Sequence, residues 1–217
     1  MPTPSRTVSS SPKAAGRPRK LTPLQERQIV RLLDGRRPDQ FGCGGALWTR
    51  PSVQQLLQQR FQVSLSVLSI SMLLKRLGLA LPGRLGQMSP QSPSDSSSWL
   101  GGVGQHQVNT LARQQSADLL FWHCCRLQPV ADAESARTPV TRAIVLLVGV
   151  QGAFWLASYD EPMTPVQLQK VLARLMRGRK RPVLLAMNGC AGQLTQAALA
   201  QAASSRGRLR IHLAENS

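Results

Sequence analysis

Near Asp118 the spacing of apolar residues changes, and the change divides the chain into two kinds of structure. Before it, apolar residues recur at three- and four-residue intervals, the repeat of a helix with one buried face. After it they run in blocks. Leu119 to Cys124 and Arg142 to Val150 read as strands, and Gln151-Gly152 as a tight two-residue turn into a third, Ala153 to Tyr159. A helix from about Thr164 to Met176 follows, then a strand from Pro182 to Met187, a helix from Gly192 to Ala203 and a strand from Leu209 to Leu213. The order β-β-β-α-β-α-β predicts an α/β architecture with a mixed sheet, preceded by an all-α N-terminal part.

The N-terminal part carries explicit helix signals. Thr22 can cap a first helix, with Pro23 at its first position and Gln25 where a capping box requires it. Ile29, Val30, Leu32 and Leu33 are its apolar positions and Gly35 its stop. A second helix begins near Pro51, with Val53, Leu56, Leu57 and Phe61 on one side and Gln54, Gln55, Gln58, Gln59 and Arg60 on the other. After Gln62 to Leu65, Ser66 caps a third helix from Val67 to Leu77, ended by Lys75-Arg76 and Gly78. Two short helices so joined form a helix-turn-helix pattern. On the third helix Ile70, Leu73, Leu74 and Leu77 share the inner side, while Leu68, Met72 and Lys75 face away, flanked by Ser69, Ser71 and Arg76. In a recognition helix Ser69 and Lys75 would meet bases or phosphates, and Leu68 and Met72 thymine methyls. Packing under a wing or a second subunit is the equal alternative for the two apolar residues.

Charge narrows the partner. The 217 residues carry 27 Lys+Arg against 10 Asp+Glu, a net +17, which implies nucleic acid or an anionic membrane surface. Residues 1–86 hold 14 basic and 3 acidic side chains, so the densest positive charge coincides with the helical part. No apolar run approaches the roughly 18–20 residues that span a bilayer, and the Ser- and Pro-rich start lacks a secretory core. Residues 1–16 read as a disordered tail. Gly16-Arg17-Pro18-Arg19-Lys20 is either a solvated basic linker or a peptide suited to a narrow minor groove. Cys43, Cys124, Cys125 and Cys190 are too scattered for a disulfide framework, which fits a reducing bacterial-type cytosol or a nucleus.

Leu47-Trp48-Thr49-Arg50, Val53, Leu56-Leu57, Phe61, Val63, Leu65-Ser66 and Leu74-Lys75-Arg76-Leu77-Gly78-Leu79, with the basic stretch Gly16 to Thr22, resemble the winged helix-turn-helix of bacterial insertion-sequence transposases of the mariner superfamily. The order after Asp118 is similar to that family's RNase H-like catalytic domain. The resemblance implies a disordered tail over 1–16, a DNA-binding domain over 17–82, a linker over 83–116 and an RNase H-like domain over 117–217, incomplete at its C-terminus. It implies double-stranded DNA as partner, contacted through Arg17, Arg19, Lys20, Arg50, Ser66, Ser69, Ser71, Lys75 and Arg76. It further implies a homodimer, no membrane, and a bacterial cytoplasmic, nucleoid-associated location.

Such transposases hold two metal ions on three carboxylates, because hard divalent cations need converging anionic oxygens. The first carboxylate is expected to end the first strand, where Phe121-Trp122 is followed by His123. The second is expected to end the fourth, where Met187 is followed by Asn188. The third is expected beyond the last strand, and the sequence reaches Ser217 without it. The resemblance therefore implies a DNA-binding protein without catalytic residues or cofactor. The alternative is an active or trans-complemented enzyme using Mg²⁺ for strand transfer. A zinc site at His123, Cys125 and Cys190, a Cys125 nucleophile, and phosphate contacts from Arg177-Gly178-Arg179-Lys180-Arg181 stand beside their plainer readings as buried thiols and a solvated loop. Trp48 and Trp122 are expected in the core.

Overall fold

A computed structural model of the chain describes residues 20–79, 81, 103–127, 142–187 and 192–213. Its first three helices begin at capping side chains. Ahead of α1 (Pro23–Leu33) the Thr22 hydroxyl accepts from the Gln25 amide at 3.2 Å, and the Gln25 side chain accepts from the Thr22 amide at 2.8 Å. Thr49 and Ser52 make the same exchange ahead of α2 (Arg50–Phe61). Ser66 caps α3 (Val67–Arg76) by accepting from the Ser69 amide. Between α2 and α3, Gln62 takes a left-handed backbone conformation, φ 55°, which turns the chain without a glycine.

Strands β1 (Asp118–Leu127), β2 (Arg142–Gly149), β3 (Phe154–Tyr159), β4 (Val183–Met187) and β5 (Leu209–Leu213) form a sheet in the order β3-β2-β1-β4-β5. β1 and β3 run antiparallel to β2, and β4 runs parallel to β1 and β5. Helix α5 (Pro165–Met176) leads from β3 to β4, and α6 (Gly192–Ser204) precedes β5. This is the mixed β-β-β-α-β-α-β arrangement that the block pattern predicted. The β2–β3 connection is looser than the expected two-residue turn: Val150 to Ala153 join the strands, with Gly152 at φ 73°.

Alternation along the strands makes two apolar faces. Leu120, Trp122, Val145, Leu147, Trp155 and Leu185 lie under α5 and α6. Ile144, Leu146, Val148, Phe154 and Leu156 point the other way, and there they share one core with Ile29 and Leu33 of α1, Trp48, Leu56 and Leu57 of α2 and Ile70, Leu73 and Leu74 of α3. The N-terminal helices are thus a layer of the fold, packed directly on the sheet. The stretch expected as a linker over 83–116 also contributes structure. Within it α4 (Val103–Gln114) lays Val108 and Ala112 on Leu119, Phe121, Leu184 and Ala186. A long Ser- and Pro-rich approach masks this helix in the sequence.

The segment between α1 and α2 closes the outer edge of β3, which would otherwise offer unpaired backbone groups. The Gly35 amide donates to the Leu156 carbonyl at 2.7 Å, and Trp48 and Phe154 exchange both backbone hydrogen bonds at 2.7 Å. Asp34 adds a side-chain pair: its carboxylate accepts from the Ser158 amide at 2.9 Å and the Ser158 hydroxyl at 2.6 Å. Trp48 is fully buried, as expected, and its indole donates to the Arg36 carbonyl at 3.0 Å. Gly35 has φ 63°, a left-handed conformation that favours glycine, and a Cβ there would also displace the Arg174 guanidinium.

Candidate nucleic-acid interface

With Ile70, Leu73, Leu74 and Leu77 turned into the core, α3 presents Leu68, Met72 and Lys75 outward. Leu68 is 72% exposed and Met72 64%, with the adjacent Val67 at 46%, whereas Ile70, Leu73 and Leu74 of the same helix are buried. Lys75 follows Met72 on the same face, in the last turn of the helix. Lys20 lies beside the turn between α2 and α3, where its ammonium donates to the Ser64 carbonyl at 3.1 Å. α2 and α3 contain no acidic residue, and none occurs anywhere between Asp39 and Asp95. A polyanion approaching this surface meets no carboxylate from either helix. That acid-free stretch is visible in the sequence, yet net charge over a larger window hides it.

The other sequence-predicted contacts divide by what already holds them. Arg50 donates to the Ser71 hydroxyl at 2.8 Å, and Ser71 in turn donates to the Val67 carbonyl at 3.1 Å, so both residues tie α2 to α3. Ser66 and Ser69 share the N-cap, their hydroxyl oxygens 2.9 Å apart. Arg76 forms an ion pair with Glu26, whose side chain is only 2% exposed. Arg17 and Arg19 lie outside the described residues. Of the predicted set, Lys75 and Lys20 remain as exposed cations at the surface, while Arg50, Ser66, Ser69, Ser71 and Arg76 shape and brace the helix pair.

The basic run after α5 is also partly internal. Arg179 is buried, donating to the Leu175 carbonyl at 3.1 Å and lying 3.2 Å from the Asp118 carboxylate. Burial lowers its guanidinium below the usual arginine range, with the Asp118 carboxylate opposing that shift. Arg181 lies 3.4 Å from the other oxygen of Asp118. The Arg177 carbonyl accepts from Arg37 at 2.7 Å, which ties this loop to the N-terminal layer. Of the whole run, Arg179 is thus a packing residue rather than a phosphate contact.

His123 occupies the place on β1 where the resemblance implies a carboxylate. It pairs with Leu146 of β2 and stands two positions past Phe121, the last β1 residue registered against β4. Its half-buried side chain shares a sheet face with Phe121 and Cys125. Burial pushes the Cys125 thiol up to about 11, so it is protonated at neutral pH and is not an activated nucleophile. Asn188 and Cys190 fall outside the described residues. Among the described residues no three His, Cys, Asp or Glu side chains come together to hold a metal ion. Imidazole and thiol at this point of β1 do not fit a pair of hard divalent cations.

Residues 44–81 match a family model described as winged helix-turn helix. Geometry and match agree on a helix-turn-helix. No curated protein matches the chain in sequence. Among solved structures, the chain is similar to the Mos1 strand transfer complex, with 14% identity and a TM-score of 0.32 over 93% of this chain and 60% of that one. It is also similar to the Mos1 transposase paired-end complex with left transposon end, with 10% identity and a TM-score of 0.29 over 93% of this chain and 61% of that one. The chain thus spans about 60% of the length of these structures. Among the described residues no helix is long and apolar enough to cross a membrane.

Proposed function

We propose that this chain is a transposase-type, mariner-like protein that binds double-stranded DNA by laying α3 of its helix-turn-helix in the major groove. The observation that carries this reading is the outward face of α3: an exposed Lys75 beside exposed Leu68 and Met72, on an acid-free helix pair within a +17 chain. A helix of this width fits the major groove, and lysines beside it supply phosphate contacts. Lys20, next to the turn, adds a second cation at this surface, and Arg17 and Arg19 precede it in the sequence. Two chains on two half-sites are the assembly such a module favours. The setting is the bacterial cytoplasm, at the nucleoid.

In the same reading the sheet is an inert carrier for the helix-turn-helix. His123 stands where strand-transfer chemistry would need a carboxylate, and Asn188 replaces the second one in sequence. Asp118, the acidic residue at the start of β1, is engaged by Arg179 and Arg181. A gel-shift titration of the full chain against a duplex pool tests the binding half: complexes form at low salt and dissociate as salt rises. Incubating the same complexes with Mg²⁺ or Mn²⁺ tests the other half, with intact duplex as the expected result. Absence of binding at low salt, or metal-dependent nicking, overturns the corresponding half.

A further inference from the structure

The centre of the α3 outer face is apolar, and this feature points to a specificity beyond phosphate attraction. Leu68 and Met72 are separated by four residues on one helix, so their side chains stand about 6 Å apart along its axis. That distance is close to two base-pair steps of about 3.4 Å. Neither side chain carries a hydrogen-bond donor that could read a base edge. The matching apolar feature of the major groove is the 5-methyl group of thymine. Ser66, Ser69 and Ser71 around them are engaged in the cap and in the Arg50 tie. Lys75 supplies the cation that holds this patch against a polyanion and not against another apolar protein surface.

We infer that Leu68 and Met72 read thymine methyl groups on base pairs two steps apart, so that the bound site is distinguished by its 5-methylpyrimidines. The inference rests on the DNA-binding reading above and deepens it.

The test changes the DNA before the protein. Duplexes are selected by the full chain from a random pool, and the enriched sequence is synthesised with thymine or with deoxyuracil, which differs only by the 5-methyl group. Wild type is expected to bind the uracil duplex roughly tenfold more weakly, from about 3–4-fold per methyl contact. Leu68→Ala/Met72→Ala is expected to bind both duplexes alike. These residues are exposed, so the variant keeps its fold, which a thermal melt verifies. Equal wild-type affinity for the thymine and uracil duplexes, with binding intact, overturns the inference while leaving DNA binding standing. So does a thymine-insensitive chain whose oligomeric state changes in Leu68→Lys/Met72→Lys, since the face would then join two copies. Failure to bind any duplex removes both readings.

Discussion

Arg76, near the end of α3, forms an ion pair with Glu26, which α1 buries almost completely. The pair fixes the tilt of the outward-facing helix against the first helix, fifty positions earlier in the chain. Its two halves are unequal, because Arg76 is 41% exposed and Glu26 only 2%. Removing the arginine strands a buried carboxylate, whereas removing the carboxylate frees an arginine that water can reach. Arg76→Ala is therefore expected to destabilise the chain by about 2–3 kcal/mol, and Glu26→Gln by about 1 kcal/mol. Urea melts of both variants check the order. Equal costs would show that the buried position of Glu26 does not matter.

The helical layer and the sheet share a core, so neither is expected to stand alone. A fragment ending after residue 82 would lose the Phe154 and Leu156 part of the buried cluster that also holds Trp48, Leu56, Ile70 and Leu73. It is expected to lose cooperative unfolding while the full chain keeps it, as read by circular dichroism in urea. Within the full chain, Trp48→Ala is expected to cost about 3–5 kcal/mol, the range for a buried aromatic. A sharply folding fragment with wild-type DNA affinity would restore the picture of an independent N-terminal domain.

Asp34 and Ser158 test the edge closure separately from the apolar core. Asp34→Ala and Ser158→Ala each remove the hydroxyl–carboxylate contact, and Asp34→Ala also orphans the Ser158 amide. A double-mutant cycle is expected to return a coupling of about 1–2 kcal/mol, with Asp34→Ala the costlier single change. A coupling near zero would mean that the backbone pairs at Gly35 and Trp48 hold the edge without the side chains.

Cys125 tests the sheet face at His123. With its thiol pushed up to about 11, Cys125 is almost wholly protonated at pH 8. Its alkylation by iodoacetamide is expected to run about a hundredfold slower than that of an ordinary thiol titrating at 9.0, from thiolate fraction alone. A raised folded-state value means that protonation favours the native state, so stability from this group is present below pH 9 and lost as pH rises towards 11. Rapid alkylation at pH 8, mapped by mass spectrometry, would show an activated thiol and revive a catalytic or metal role.

Much of the fold was legible because its signals are local. Thr22 with Gln25, Thr49 with Ser52, Ser66 with Ser69 and Thr164 with Gln167 each mark a helix start within three residues, and apolar blocks mark the strands. What the sequence hid depends on contacts between distant positions. Nothing near Arg76 announces Glu26, and nothing near Arg50 announces Ser71. Both arginines therefore read as free to meet DNA when they brace the helices. Arg179 is the sharpest case: a basic run predicts a solvated surface, yet its middle arginine is buried beside Asp118. The face of α3, by contrast, followed from 100° per residue alone, since Leu68, Met72 and Lys75 lie outward as the helical repeat requires.

The division between bracing and contacting cations gives the most direct test of how this chain holds DNA. Binding of the full chain to one duplex is followed by fluorescence anisotropy across a salt series, for wild type, Lys75→Ala and Arg76→Ala, at a temperature where all three are folded. The logarithm of affinity against the logarithm of salt should lose about one unit of slope in Lys75→Ala, the signature of one phosphate contact removed. Arg76→Ala should keep the wild-type slope, since its guanidinium is paired with Glu26. An unchanged slope for Lys75→Ala, or no binding at low salt, would contradict the placement of α3 against DNA.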